Sequence, residues 1–326
     1  MPTASQRSPH NVGDRDGCAP VEPTISICIC TFKRLAMLRG LLESIARNLR
    51  ANVPCEVVVV DNDHAASARE IAESPMSSAM PVRYFVEPEQ NISRARNRCV
   101  LEARGDWLAM IDDDEIPEPE WLIDLYGCAL ELDADAVFGP VKPIYAPNCP
   151  RWIIDGGFFE KGHASTGTPV ATGQARTSNV LLRRDLVASM DEPFNPDFGL
   201  SGGEDSFLFE GLLLDGSRLF WCDGGTVSEN VPPERATWQW LLRRAFRGGQ
   251  THGRLILSGY GRRRTTIFTR LHLLVGSLAR LCFATGAAVL CLPFGKIARF
   301  RWLLKVALQI GKITALTPFT YREYAR

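Results

Sequence analysis

Apolar residues follow two rhythms along this chain. Residues 25–30 form a short β-branched run carrying Ile25, Ile27 and Ile29, and residues 35–49 then repeat apolar positions at helical spacing. The alternation recurs. Four valines at 57–60 are too few and too branched for a helix, and Asp61 stands at their end. A small polar loop and a short helix follow. The pattern then predicts a strand at 82–86, a helix at 92–103, a strand at 108–111, a helix at 121–132 and a strand at 136–139. Strands alternating with helices predict a mostly parallel sheet with helices on both faces. Residues 145–172 lose the periodicity and carry Pro, Gly and scattered aromatics, which predicts a lid or substrate loop. A strand at 180–182 and a helix running from the turn at 199–206 to about Leu214 complete the region.

The chemistry concentrates at the ends of these elements. Asp112, Asp113 and Asp114 follow the strand that ends at Ile111, where open α/β sheets bind their ligands. Such a cluster repels itself and calls for a cation, and an oxygen-only set favours Mg²⁺ or Mn²⁺ shared with a phosphate. A solvated acidic turn before a helix is the plainer alternative, since Glu115, Glu118 and Glu120 suit a helix start. A second acidic site, Ser201-Gly202-Gly203-Glu204-Asp205, pairs two glycines with two acids in the first turn of a helix. Acids there also complement the helix dipole, so helix-start chemistry alone would explain them. Taken together, one carboxylate cluster for a metal and one for a base suit group transfer from an activated phosphate to a hydroxyl. The chain has neither GxGxxG after the first strand nor GxxxxGK[ST], so a phosphate would be held mainly by metal.

Composition adds one asymmetry. The net charge is zero, yet residues 1–234 hold 20 Lys+Arg against 36 Asp+Glu, while residues 235–326 hold 17 against the single acid Glu323. A basic tail behind an acidic body is suited to an anionic surface. Ten cysteines without CxxC or zinc spacing read as reduced cytosolic thiols, with Cys28 and Cys30 on one side of a core strand. Residues 1–23 are polar, lack an apolar core, and read as a disordered leader.

Six motifs in order resemble those of GT-A glycosyltransferases of family 2. They are Thr31-Phe32-Lys33-Arg34, Asp61, Asn91-Ile92-Ser93-Arg94-Ala95-Arg96-Asn97, the Asp112-Asp113-Asp114 triplet, the segment 179–184, and Gly202-Gly203-Glu204-Asp205. The stretch 244–254 further resembles ExoM-type succinoglycan glucosyltransferases of bacterial exopolysaccharide assembly. The resemblance implies a Rossmann-like GT-A domain over 24–254 and a helical, basic and apolar extension over 255–326. It also implies donor-binding roles. Thr31 and Arg34 would line the nucleotide pocket, Asp61 would accept from the base, Arg94 would approach the base or diphosphate, and Asn97 would brace a helix start. Asp113 would contact the ribose, and Asp112 and Asp114 would hold Mg²⁺ or Mn²⁺. Asp205 would be the general base, with Glu204 orienting it or the acceptor. His252 and Trp238 are acceptor or diphosphate candidates, although a surface His and core aromatics at 238 and 240 are the plainer readings. One departure stands out: where the family often carries a metal-binding His, this chain has Ser228. Either water, Glu229 or a tail residue such as His252 completes such a site, or metal dependence is weaker.

These roles imply an inverting transfer of a hexose, glucose first, from a UDP-sugar to a lipid-linked oligosaccharide. In the tail, residues 271–294 are largely apolar but interrupted by His272 and Arg280; the uninterrupted part 281–294 has 14 residues, short of the ~20 that span a bilayer. Arg262, Arg263, Arg264, Arg270, Lys296, Arg299, Arg301 and Lys305 surround it. This predicts contact with an anionic membrane surface at the cytoplasmic face of a bacterial inner membrane, peripheral or single-span, the plainer alternative being an amphipathic helical subdomain packed on the acidic half. The rivals are nucleotidyl transfer, against which the missing Gly-rich loop speaks, and a catalytically weak sugar-nucleotide-binding or scaffold module. Nucleic acid is not expected as a partner, because the tail has apolar runs where a nucleic-acid arm is polar.

Overall fold

The computed structural model describes residues 24–48, 53–74, 80, 82–261 and 265–323. The leader at 1–23 and the arginines at 262–264 lie outside the described residues. The first half runs β1 (Ile25–Thr31), α1 (Leu35–Asn48), β2 (Cys55–Asp61), α2 (Arg69–Ala72), β3 (Val82–Val86), α3 (Ile92–Glu102), β4 (Trp107–Asp112), β5 (Glu115–Pro117) and α4 (Trp121–Glu131). It continues with β6 (Ala136–Phe138), β7 (Val141–Tyr145), α5 (Arg151–Asp155), β8 (Val180–Arg183), α6 (Asp185–Ala188), α7 (Glu204–Leu214), β9 (Leu219–Trp221) and β10 (Val227–Val231). Three long helices end the chain, α8 (Trp238–Ser258), α9 (Ile267–Leu290) and α10 (Lys296–Thr314).

The main sheet has the order β3-β2-β1-β4-β8-β6-β9. It is parallel except at β8, which runs antiparallel to both β4 and β6. Strand alternation divides the apolar residues between two cores. Ile25, Ile27 and Ile29 of β1 pack with Leu38, Leu41 and Ile45 of α1 on one face. Cys28, Val58, Val60 and Met110 pack with Ala95, Cys99 and Phe209 on the other. Helices therefore cover both faces, as the rhythm predicts.

A second sheet, β5-β10-β7, was not visible in the pattern. Its strands are three to five residues long and include Pro143, Glu115 and Glu229, so no apolar alternation marks them. The antiparallel β5–β10 register sets Glu115 opposite Glu229. The irregular stretch 145–172 contains α5 and delivers Lys161 to this same place.

The boundary expected at residue 254 falls inside α8, which continues to Ser258. Ile153, Phe159, Val231, Leu241 and Phe300 form a third core that joins α5, β10, α8 and α10. Helices α8 and α10 cross closely at glycines: a Cβ on Gly249 would meet the Leu308 carbonyl oxygen, and one on Gly311 the Phe246 carbonyl oxygen. Helix α9 is one unbroken helix of 24 residues, longer than the 14-residue run suggested, and it starts at Ile267.

Candidate active site

Three parallel strands end beside one another, and their final residues build the site. Asp112 is the last residue of β4, and Asp113 and Asp114 form the turn into β5. Asp113 is buried; it accepts from Thr31 Oγ1 at 2.8 Å and from Arg34 Nη1 at 3.0 Å. The same Arg34 nitrogen reaches Asp114 Oδ2 at 3.2 Å. Thr31 and Arg34 thus come to the triplet because β1 and β4 are paired neighbours.

The second acidic motif meets the first through Arg96. This arginine is buried on α3, with Nη2 3.3 Å from Asp112 Oδ1 and Nη1 paired with Glu204 Oε1. Glu204 and Asp205 open α7 after Gly203, whose φ of +108° suits glycine and whose missing Cβ leaves room for Thr251 of α8. Asp205 is half-buried, and its Oδ1 accepts from Ser206 N at 2.6 Å. The two acids therefore differ. Glu204 is locked in an internal pair, while Asp205 forms no ion pair among the described residues.

Two further cations complete the pocket. Lys161 Nζ lies 2.8 Å from Glu229 Oε2 and 3.6 Å from Glu115 Oε1. Arg235 Nη1 lies 3.1 Å from Glu229 Oε1 and 3.6 Å from Asp114 Oδ2. Even so, carboxylates outnumber cations here. Burial, with Asp112 and Glu229 nearby, pushes the Asp114 carboxyl up to about 6. Burial raises Asp113 despite Arg34 and Thr31, and raises Glu115 well above the usual range, reinforced by Asp112. Burial alone would lower Arg34 and Arg96, but the facing acids outweigh it and both are raised.

This surplus of negative charge, the oxygen-only donor set and the unpartnered buried Oε2 of Glu204 fit a hard divalent cation. Among the described residues no group of three His, Cys, Asp or Glu side chains is placed to hold a metal. Phosphate oxygens of a ligand would have to complete the coordination, as they do for Mg²⁺ at nucleotide sites. Ser228 is half-buried on β10, and Glu229 beside it is engaged by Arg235 and Lys161.

Other expected residues make structural contacts of their own. Asp61 is fully buried and accepts from Asp63 N at 3.0 Å, Ala68 N at 2.8 Å and Tyr84 Oη at 2.8 Å, which shapes the loop after β2. Arg94 pairs with Glu89 at 3.0 Å. Asn97 exchanges two 2.9 Å hydrogen bonds with the Phe194 backbone, while Asn91 caps α3. Asn179 joins Trp121 to the Pro140 and Gly225 carbonyls and belongs to the scaffold. His252 is exposed on α8, and the charges that face it are Lys312 and Arg280 of the terminal helices, not the triplet. Trp238 is exposed at the start of α8, whereas Trp240 stacks on Phe159. Sequence reasoning missed Lys161, Arg235 and the bridging role of Arg96.

The profile for "Glycosyl transferase family 2" matches residues 26–185. The succinoglycan biosynthesis protein ExoM of Rhizobium meliloti (strain 1021) is 38% identical over 298 residues, 90% of this chain and 92% of that protein. The chain belongs to glycosyl transferase family 2. The fold of this family 2 glycosyltransferase also matches solved GT-A structures. The mannosyltransferase PcManGT from Pyrobaculum calidifontis, solved with GDP-Man and Mn²⁺, gives a TM-score of 0.57 at 19% identity over 91% of this chain and 88% of that one. S. aureus TarS 1-349, solved with UDP, gives 0.52 at 16% identity over 92% and 93%. At these identities the two structures establish the fold alone.

Proposed function

We propose that this family 2 glycosyltransferase moves a hexose, glucose first, from a UDP-sugar to a lipid-linked oligosaccharide in bacterial exopolysaccharide assembly, with inversion and with help from Mg²⁺ or Mn²⁺. The observation that carries this reading is the junction at Arg96, which brings the acids of α7 beside the carboxylates at the end of β4. UDP and Mn²⁺ in the GT-A structures support a nucleotide-sugar donor with a cation. The ExoM relative supports exopolysaccharide assembly.

In this reading Thr31 and Arg34 line the nucleotide pocket and hold Asp113 toward the ribose. Asp61, with Arg94 and Asn97, shapes the side of the pocket that takes the base. Asp112 and Asp114 hold the cation, which when bound offsets the charge that develops on the diphosphate. Asp205 takes the proton of the acceptor hydroxyl as that oxygen bonds to the anomeric carbon. The bond from that carbon to the diphosphate breaks, and UDP leaves with the electron pair. Glu204, fixed by Arg96, holds the start of α7 so that Asp205 stays at the acceptor side. One base opposite the leaving group gives inversion.

The protein works at the cytoplasmic face of a bacterial inner membrane in this reading. Helix α9 is 24 residues long and contains an 18-residue window of mean hydropathy 1.8, long and apolar enough to cross a membrane. This helix supports membrane association, peripheral or single-span. Ser228 and the lack of a three-ligand set among the described residues favour one rival, a catalytically weak sugar-nucleotide-binding or scaffold module. Calorimetric titration with UDP, in Mn²⁺ or Mg²⁺ and then in EDTA, separates the two. Cation-dependent UDP binding followed by turnover of a UDP-hexose is expected. Binding without turnover on any UDP-hexose would put the module first.

A further inference from the structure

Helix α8 carries two functional faces separated by a basic edge. At 3.6 residues per turn, Trp240, Arg244, Arg247, Thr251 and Arg254 share one side. That side meets the active site: Thr251 Oγ1 is 3.4 Å from the Gly202 carbonyl, and Arg254 Nη2 donates to the Asp197 carbonyl at 3.0 Å. Arg235 and Arg244 lie over the Trp240 ring, 5.9 and 5.4 Å from its centroid. Arg235 is held by Glu229, whereas Arg244 forms no ion pair among the described residues.

Turning around α8 from Arg244, the next positions are Arg247 and then Arg243. Beyond them lies an apolar groove of about 450 Å³ between α8 and α10, within the ~300–1,000 Å³ of small-molecule sites. Leu242 and Phe246 line it from α8. Leu303, Val306, Ala307 and Ile310 line it from α10 at i, i+3, i+4 and i+7, a stripe that points into the groove. Arg243 stands on its wall, and so does Tyr321. Gln250 fixes that last segment by accepting from Tyr321 N at 2.7 Å and donating to the Phe319 carbonyl at 2.9 Å. Arg247 meets Glu323 at 3.3 Å.

We infer that this groove takes the hydrocarbon chain of the lipid-linked acceptor, and that Arg243, Arg244 and Arg247 hold its phosphate. The inference rests on the lipid-linked acceptor of the proposed function. A hydrocarbon wall with a cationic edge complements a chain that ends in a phosphate, and the basic tail has one acid to set against its cations. The edge also leads in the direction the chemistry requires. A phosphate on Arg244 would hang its sugar toward the acidic pocket, past Trp240. Arginine suits the task because its planar fork grips phosphate oxygens in pairs.

Farnesyl diphosphate, a short chain carrying a diphosphate, tests this on the full chain by calorimetry, with UDP, sodium pyrophosphate and farnesol as companions. Farnesyl diphosphate should bind without displacing UDP. Ala307→Trp fills the groove and should weaken farnesyl diphosphate about tenfold while leaving UDP unchanged. Arg243→Met and Arg244→Met should each weaken farnesyl diphosphate and pyrophosphate by about tenfold and leave farnesol unchanged. Arg243 is exposed, so its variant remains readable if Ala307→Trp fails to fold. Displacement of UDP by farnesyl diphosphate, or indifference to all three substitutions, would overturn the inference. Equal binding of dihexanoyl phosphatidic acid would overturn it in favour of a membrane phospholipid. Loss of UDP binding in the wild-type chain would instead count against the donor site, which these residues do not form.

Discussion

Arg96 of α3 and Glu204 of α7 form a buried ion pair that joins two motifs 108 residues apart. The pair gives the site its shape, because Arg96 also reaches Asp112 at 3.3 Å. Arg96→Met should therefore leave Glu204 buried without a cation and destabilise the fold by about 3–5 kcal/mol. Glu204→Gln in that background should recover much of the loss. Urea denaturation of the four members of this cycle measures the coupling, and additive losses would show that the two side chains act independently.

Asp205 at the start of α7 and Asp114 in the turn after β4 should separate in kinetics. Asp205→Asn is expected to abolish transfer while UDP affinity stays within a few-fold, since only the proton acceptor is lost. Asp114→Ala should weaken UDP binding in Mn²⁺ and make it insensitive to EDTA. Near wild-type turnover in Asp205→Asn would move the base to another residue.

Asp114 should make two quantities run in opposite directions with pH. Its carboxyl stands at about 6 in the folded chain, against 3.8 ordinarily, through burial and the nearby Asp112 and Glu229. The folded state thus holds this proton more tightly than the unfolded chain does. The corresponding stability is fully present below 3.8 and is lost as pH rises through about 6. Cation and UDP need the ionised carboxylate, so their affinity should fall about tenfold per unit below pH 6. Calorimetry and denaturation at about pH 5 and pH 7 read both slopes, and Asp114→Asn should flatten them. A cation-dependent affinity unchanged over that interval would remove Asp114 from the ligands.

The framework was legible because it obeys simple periods. Four valines in β2 and alternating isoleucines in β1 can only be a buried sheet, and the triplet after Ile111 marks the sheet's carboxyl edge. What escaped was whatever lacks a period. Arg94, Arg96 and Arg98 look alike on α3, and only packing against Phe194 and Glu204 turns Arg96 inward. Lys161 sits in an aperiodic loop, and β5, β7 and β10 mix charge and proline, so their pairing depends on partners distant in sequence. Helix α9 was underestimated for a related reason: Arg270, His272 and Arg280 are exposed, so charges that interrupt the sequence do not interrupt the helix.

The crossing of α8 and α10 predicts a sharp sterical limit. A Cβ added at Gly249 would fall against the Leu308 carbonyl oxygen of the facing helix. Gly249→Ala should push the helices apart and cost about 1–3 kcal/mol. Gly248, one residue away, has open space where a Cβ would go, so Gly248→Ala should be neutral or stabilising through helix propensity. Thermal melts of the two variants decide the point, and equal melts would mean that the crossing yields without strain.

Helix α9 is built in reverse for a helix in water. Its inward face carries Leu273, Ser277, Ala284 and Ala288, while Phe268, Val275 and Phe283 stand 77%, 61% and 69% exposed. The neighbouring turn adds Leu292 and Phe294, 56% and 76% exposed, ahead of exposed Lys296 and Arg299. An apolar outer face with cations at its end fits a lipid surface, where each cation contributes about 1 kcal/mol at modest salt. The chain should float with anionic vesicles more strongly than with neutral ones. Phe268→Asp with Phe283→Asp should lower binding to both, because apolar burial is lost. Lys296→Gln with Arg299→Gln should lower only the anionic case. Release by high salt alone marks a peripheral protein, and retention after alkaline extraction marks a span. Equal flotation of the wild type and the double Asp variant would show that α9 does not meet the bilayer.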